Sequence, residues 1–113
     1  MTSHESPDVY YSSIEEQYLA RTGVELRRSL SRPALAFHDS VFALMTAEGL
    51  VVRLGRDATA VAVDAGHGSV YQPSGTTRAA GDWLLVPFDP DDPHRWAHYV
   101  ERAYEHVRAE KLK

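Results

Sequence analysis

The 113-residue chain contains no cysteine. That removes disulfides, thiolate nucleophiles and thiolate metal ligands from the possible chemistry. Long apolar runs are also missing: stretches such as 41–45 and 83–86 are only a few residues each, far short of the roughly 18 that a membrane span needs. Basic charge is not in excess, with 12 Lys and Arg against 16 Asp and Glu and a net charge of −4. Nucleic-acid affinity comes mainly from phosphate neutralisation, so tight, specific DNA binding is not expected. The opening MTSHESPDVYYSS carries neither a basic n-region nor an apolar h-region, and no secretory signal is expected. Together with the absent thiols, this points to a cytoplasmic protein. There is no internal repeat and no low-complexity tract.

What is present suits one globular domain. The chain is 43% hydrophobic and 25% charged, ordinary values for a folded domain of this length. Residues 1–8 read as a tail and 9–113 as a single domain. Ser13 and Glu16 have the spacing of a capping box, and Tyr10, Ile14 and Tyr18 recur at helical period. A helix over about 9–21 is expected, closed by Gly23.

Residues 24–54 change to strand character. Val24 to Arg27 alternates, Pro33 to Phe37 is apolar, and His38-Asp39-Ser40 is turn chemistry. Val41 to Thr46 and Leu50 to Leu54 flank Gly49 as a hairpin. The spacers are too short for crossovers, so the arrangement is an antiparallel meander. Residues 57–66 are two-sided. Thr59, Val61 and Val63 favour a strand, whereas Asp57 as N-cap, Gly66 and the intervening alanines favour a helix. Val70-Tyr71 is a short strand, and Asp82 to Pro87 reads as a strand buried on both faces. Asp89, Asp91 and Asp92 with their prolines read as a helix entry, the aspartates at the N-cap and first turn. Trp96, Val100, Ala103, Tyr104 and Val107 then form the apolar face of a helix reaching about 109. Trp83 and Trp96 are expected to share one core, the last strand packing under this helix.

None of the candidate chemical motifs closes. His38-Asp39-Ser40 has triad residue types, but adjacent side chains diverge. His94 and His98 sit at i, i+4 without the glutamate of a metalloprotease helix between them, and two ligands fall short of a zinc site. Asp89, Asp91 and Asp92 do not fit a calcium loop, because His94 stands where its glycine belongs. Gly66-His67-Gly68 does not lie between a strand and a helix as a phosphate loop does, and reads as a tight turn. No catalytic residue, metal or cofactor is expected. The one cluster with binding potential is basic: Arg21, Arg27, Arg28 and Arg32 are four of the 12 basic residues. Arg27, Arg28 and Arg32, with Arg78, are the candidate binding residues for an acidic partner or a phosphate backbone. The plainer reading is a charged edge strand that resists edge pairing.

The stretch from Arg32 to Val107 resembles the TfoX N-terminal-domain family. The resemblance is carried by Val41-Phe42-Ala43-Leu44-Met45, by Leu50-Val51-Val52-Arg53-Leu54, by the Ala65-Gly66 helix end, and by Arg78 five residues ahead of Trp83. Thr77-Arg78-Ala79-Ala80 stands where the family tends to have Gly-Arg-Pro-Met, and Ser29-Leu30-Ser31-Arg32 where it often has a glycine-rich segment. The resemblance implies an antiparallel sheet flanked by helices, tips residues 57–65 to helix, and carries over no catalytic residue. The expected fold is therefore α+β: a meander flanked by an N-terminal helix, a short middle helix and a long C-terminal helix. The expected function is a non-catalytic binding or regulatory domain that contacts another protein, a second copy of itself included. A nucleic-acid module using the arginines is the alternative, and an enzyme built from dispersed residues is a third reading.

Overall fold

Strand patterns in the first half of the chain fold back through short turns, and the resulting sheet organises everything else. A computed structural model describes residues 7–29, 32–71 and 81–112. Its elements are α1 (Pro7–Leu19), β1 (Val24–Ser29), β2 (Arg32–Phe37), β3 (Ser40–Thr46), β4 (Gly49–Arg53), α2 (Arg56–Asp64), β5 (Ser69–Val70), β6 (Trp83–Val86) and α3 (His94–Lys111). The six strands form one sheet in the order β1-β2-β3-β4-β6-β5, with every neighbouring pair antiparallel. The architecture is α+β, as the sequence pattern predicts.

The β2–β3 turn shows how local chemistry sets the path. His38 and Asp39 both take positive φ, 45° and 76°, as a two-residue turn matched to strand twist requires. These are among the non-glycine residues that best tolerate it. The register then shifts beyond Leu35, leaving Phe42 without a partner. Phe42 and Ala43 consequently both face the main core. The β3–β4 turn is tied by the Thr46 hydroxyl, which donates to the Gly49 carbonyl at 2.9 Å and accepts from the Glu48 amide at 3.2 Å.

α1, α2 and α3 lie on one face of the sheet. Their buried side chains join those of the strands in a single core that includes Ile14, Ala62, Leu84, Val86, Trp96 and Val100. Tyr18, Phe37, Phe42 and Tyr104 meet edge to face with ring centroids 5.6–6.1 Å apart, the arrangement aromatic quadrupoles favour. The opposite face carries a smaller cluster of Ala34, Leu44 and Val51, flanked by half-buried Val41, Tyr71, Trp83 and Leu85.

Four expectations change. α1 starts at Pro7, so Pro7 and Asp8 are not tail, Ser13 lies inside the helix rather than capping it, and the helix ends at Leu19 rather than 21. Residues 1–6 lie outside the described residues. α2 is capped by Gly55 with no side-chain bond, so Asp57 sits in the first turn and not at the N-cap. The aspartates before α3 do not cap it either: its N-cap is Pro93. Asp89 instead accepts from the Asp91 amide at 2.9 Å, and Arg95 pairs with Asp89 at 3.6 Å and Asp92 at 3.3 Å. These acids hold the loop by its charges.

The fourth correction concerns the tryptophans. Trp96 is 1% exposed, and its indole N–H donates to the Val86 carbonyl at 3.0 Å. Trp83 lies across the sheet from it. Strand alternation allows one face per parity. Leu84 and Val86 take the helix side, which sends Trp83 and Leu85 to the other.

Residues 56–64 are helical despite the β-branched alternation. Helical period turns Thr59 and Ala62 inward and leaves Val61 69% exposed. The buried Thr59 hydroxyl donates to the Asp82 carbonyl at 3.2 Å. A tertiary hydrogen bond thus uses the residue whose local preference is strand.

Candidate functional site

The arginines come first, since charge is the clearest chemical signal in the sequence. Arg27 is exposed on β1 and pairs with Glu25 at 2.9 Å and with Asp39 of the turn. Arg28 follows it on the same strand, so the two side chains leave opposite faces of the sheet. Arg28 is exposed opposite Pro33, and Arg32 is exposed opposite Ser29. Arg78 lies outside the described residues. Arg21 is drawn away altogether: its guanidinium sits over the Tyr18 and Tyr104 rings at 4.2 and 4.7 Å and pairs with Glu101 at 3.1 Å. Arg53 pairs with Glu110 at 3.4 Å. The fold does not gather Arg27 and Arg28 into one surface.

The other sequence motifs are placed as follows. Asp39 of the His38-Asp39-Ser40 turn serves Arg27, and the His38 ring meets Phe37 edge-on. His94 and His98 are both exposed on α3. Among the described residues no group of three or more His, Asp or Glu is placed to hold a metal ion. Gly66-His67-Gly68 is the turn between α2 and β5, and it is packed tightly: a Cβ on Gly68 would lie 2.1 Å from the Leu85 carbonyl oxygen.

His67 of that turn also helps to line a concave surface with polar groups on it. A cavity of about 500 Å³ opens between α2 and α3. Leu54, Ala58, Val61, Ala62 and Ala65 form its apolar wall, and His67, His98, Tyr99, Arg102 and Asp57 supply polar atoms. His67 Nδ1 lies 2.7 Å from the Tyr99 hydroxyl, and both His67 and His98 set their rings against Tyr99. Burial raises the Tyr99 pKa above its ordinary value of 10.0, because the phenolate loses solvation. Tyr99 therefore keeps its proton and is a poor base at neutral pH.

Sequence reading did not single out His67, Tyr99, Arg102 or Asp57 as a group. They are brought together by the packing of α2 and the turn after it against α3, which sets His67 beside Tyr99, 32 positions away. Two local signals exist: Val61 is an apolar residue off the buried face of its helix, and His98 and Arg102 share a flank of α3 at i, i+4.

The helix-free sheet face is the second candidate surface. Trp83, Leu85, Val41 and Tyr71 remain half-exposed around the buried Ala34, Leu44 and Val51, and no described helix packs over them. Among the described residues, no helix is long and apolar enough to cross a membrane.

Compared with known proteins, the chain matches no family model, no curated protein and no solved structure.

Proposed function

We propose that this is a non-catalytic binding domain that acts by contact with another polypeptide chain through the helix-free face of its sheet. The observation that carries this reading is Trp83, held half-exposed among Leu85, Val41 and Tyr71 on a face with no described helix over it. Tryptophan is enriched at the energetic centres of interfaces, and an apolar patch rimmed by charge marks interaction sites. Glu25, Arg27 and Arg32 supply such a rim along β1 and β2. The resemblance of residues 32–107 to the TfoX N-terminal-domain family supports a regulatory role of this kind, and a chain without cysteine fits the reducing cytoplasm.

The nucleic-acid alternative is weakened by the pairing of Arg27 with Glu25 and Asp39. It is weakened again by the divergence of Arg27 from Arg28.

The absence of native cysteine allows a direct test. Cysteine is introduced at Leu85, or at exposed Ala109 as a control, and coupled to a benzophenone; the chain is then photolysed in its native lysate. The expected result is a discrete adduct from position 85 that is absent from position 109. Its mass distinguishes a second copy from a foreign partner. Identical adduct patterns at the two positions, or none, would refute the proposal.

A further inference from the structure

We propose that the cavity between α2 and α3 is a seat for a small carboxylic acid with an apolar body, its carboxylate held by Arg102. The site is on the helical side of the sheet, so the proposal stands independently of the contact face around Trp83.

The cavity, about 500 Å³, lies within the range of small-molecule sites, which are mostly apolar with a few placed polar groups. Its composition is of that kind. Leu54, Ala58, Val61, Ala62 and Ala65 make one wall, and the short alanine side chains leave room that larger residues would fill. Val61 is 69% exposed on the rim, an apolar residue that gains nothing from the fold itself. A bound apolar body would cover it.

The polar wall identifies the charge of the ligand. Arg21, Arg27, Arg53 and Arg95 each pair with a carboxylate of the chain. Arg102 has no ion pair among the described residues, although Glu105 is its neighbour around the next depression on α3. The guanidinium fork matches a carboxylate in two parallel hydrogen bonds. His98 lies one helical turn before Arg102, beside the same opening, and offers a further donor. Asp57 lines the α2 wall and sits in the first turn of that helix, where the macrodipole favours it. It repels anions from its own side, so the ligand's charged end goes to α3 and its apolar body to α2. A single fixed cation facing a fixed anion selects a monoanion over a phosphate dianion.

The test is a titration of the isotopically labelled full chain with octanoate and, separately, with uncharged octanamide, followed by amide chemical shifts. For ligands this small a dissociation constant on the order of millimolar is expected. Octanoate should shift residues 54–67 and 98–102 saturably, and bind about tenfold more tightly than octanamide, the worth of one charge-assisted contact. Arg102→Gln should weaken octanoate by about tenfold, to the level of octanamide. Arg102 is exposed, so this substitution does not threaten the fold. Ala58→Leu, which fills the cavity, should weaken both ligands. Equal affinity for the two probes, an unchanged octanoate affinity in Arg102→Gln, or shifts that fail to saturate would each overturn the proposal. So would inorganic phosphate displacing octanoate at equal concentration.

Discussion

Replacing the two tryptophans separately measures which side of the sheet holds the structure together. Trp96 is 1% exposed, its ring meets Phe88 edge-on at 5.2 Å, and its N–H reaches the Val86 carbonyl at 3.0 Å. Truncating a buried tryptophan to alanine costs about 3–5 kcal/mol, and the lost hydrogen bond adds about 1 kcal/mol. A domain of this size has only about 5–15 kcal/mol in total, so Trp96→Ala is expected to approach global unfolding. Trp96→Phe is the measurable version. It keeps one ring and loses the N–H and part of the packing, for an expected cost of about 2 kcal/mol. Trp83 is half-buried over Leu44 and Val51. In proportion to the apolar area it removes from water, Trp83→Ala should cost only about 1–2 kcal/mol. Urea unfolding followed by far-ultraviolet circular dichroism gives both numbers, provided the m-values stay equal. The single-tryptophan variants add a second readout: emission from Trp96 should be bluer than emission from Trp83. A larger loss from Trp83→Ala than from Trp96→Ala, or bluer emission from Trp83, would refute the assignment of the main core to the helix side.

Gly68→Ala should cost about 1–3 kcal/mol through forced displacement, because the added Cβ meets the Leu85 carbonyl oxygen at 2.1 Å. Faster amide exchange at Ser69 and Val70 would report β5 lifting from β6, and unchanged exchange with unchanged stability would contradict the packing. Glu101 accepts from the Tyr18 hydroxyl at 2.5 Å and pairs with Arg21 at 3.1 Å. Those contacts hold its carboxyl below the ordinary value of 4.5, the tyrosine bond contributing most. A lowered folded-state pKa stabilises above the unfolded value and is lost as pH falls through the folded one. The stability difference between wild type and Glu101→Gln should therefore be present at neutral pH and shrink below about 4.5. Both side chains of the Arg21–Glu101 pair are about 40% exposed, so screening keeps the difference under about 1 kcal/mol. A difference that grows on acidification would contradict the assignment.

Much of the fold was legible because its signals are local. The meander from β1 to β4 follows from short apolar runs separated by turn residues, and the His38-Asp39 turn needs only residues that tolerate positive φ. α3 follows from the recurrence of Trp96, Val100, Ala103, Tyr104 and Val107 along one face, all of which are buried. α2 was ambiguous by propensity and reached a helical reading only through the family resemblance. Its decisive contact, from Thr59 to the Asp82 carbonyl, spans 23 positions. The aspartates before α3 misled because capping and ion pairing use the same residue type. The pairing partner Arg95 shows only when the loop is folded back onto the helix.

The amino-acid pattern by itself determined the turn positions and the strand and helix periods outside α2, since each depends on neighbours a few residues apart. Tertiary structure decided which side of the sheet each apolar residue serves. A period of two says that Trp83 and Leu84 diverge, but not which of them meets the helices; that depends on where α1, α2 and α3 pack. It also decided the fate of the arginines, whose charges are spent according to which carboxylates arrive from elsewhere in the chain. The assembly of the candidate ligand seat also belongs to this second level. Asp57 and Arg102 become two walls of one cavity because α2 and α3 both bury their apolar sides on the same face of the sheet, and no local pattern along the chain encodes that meeting.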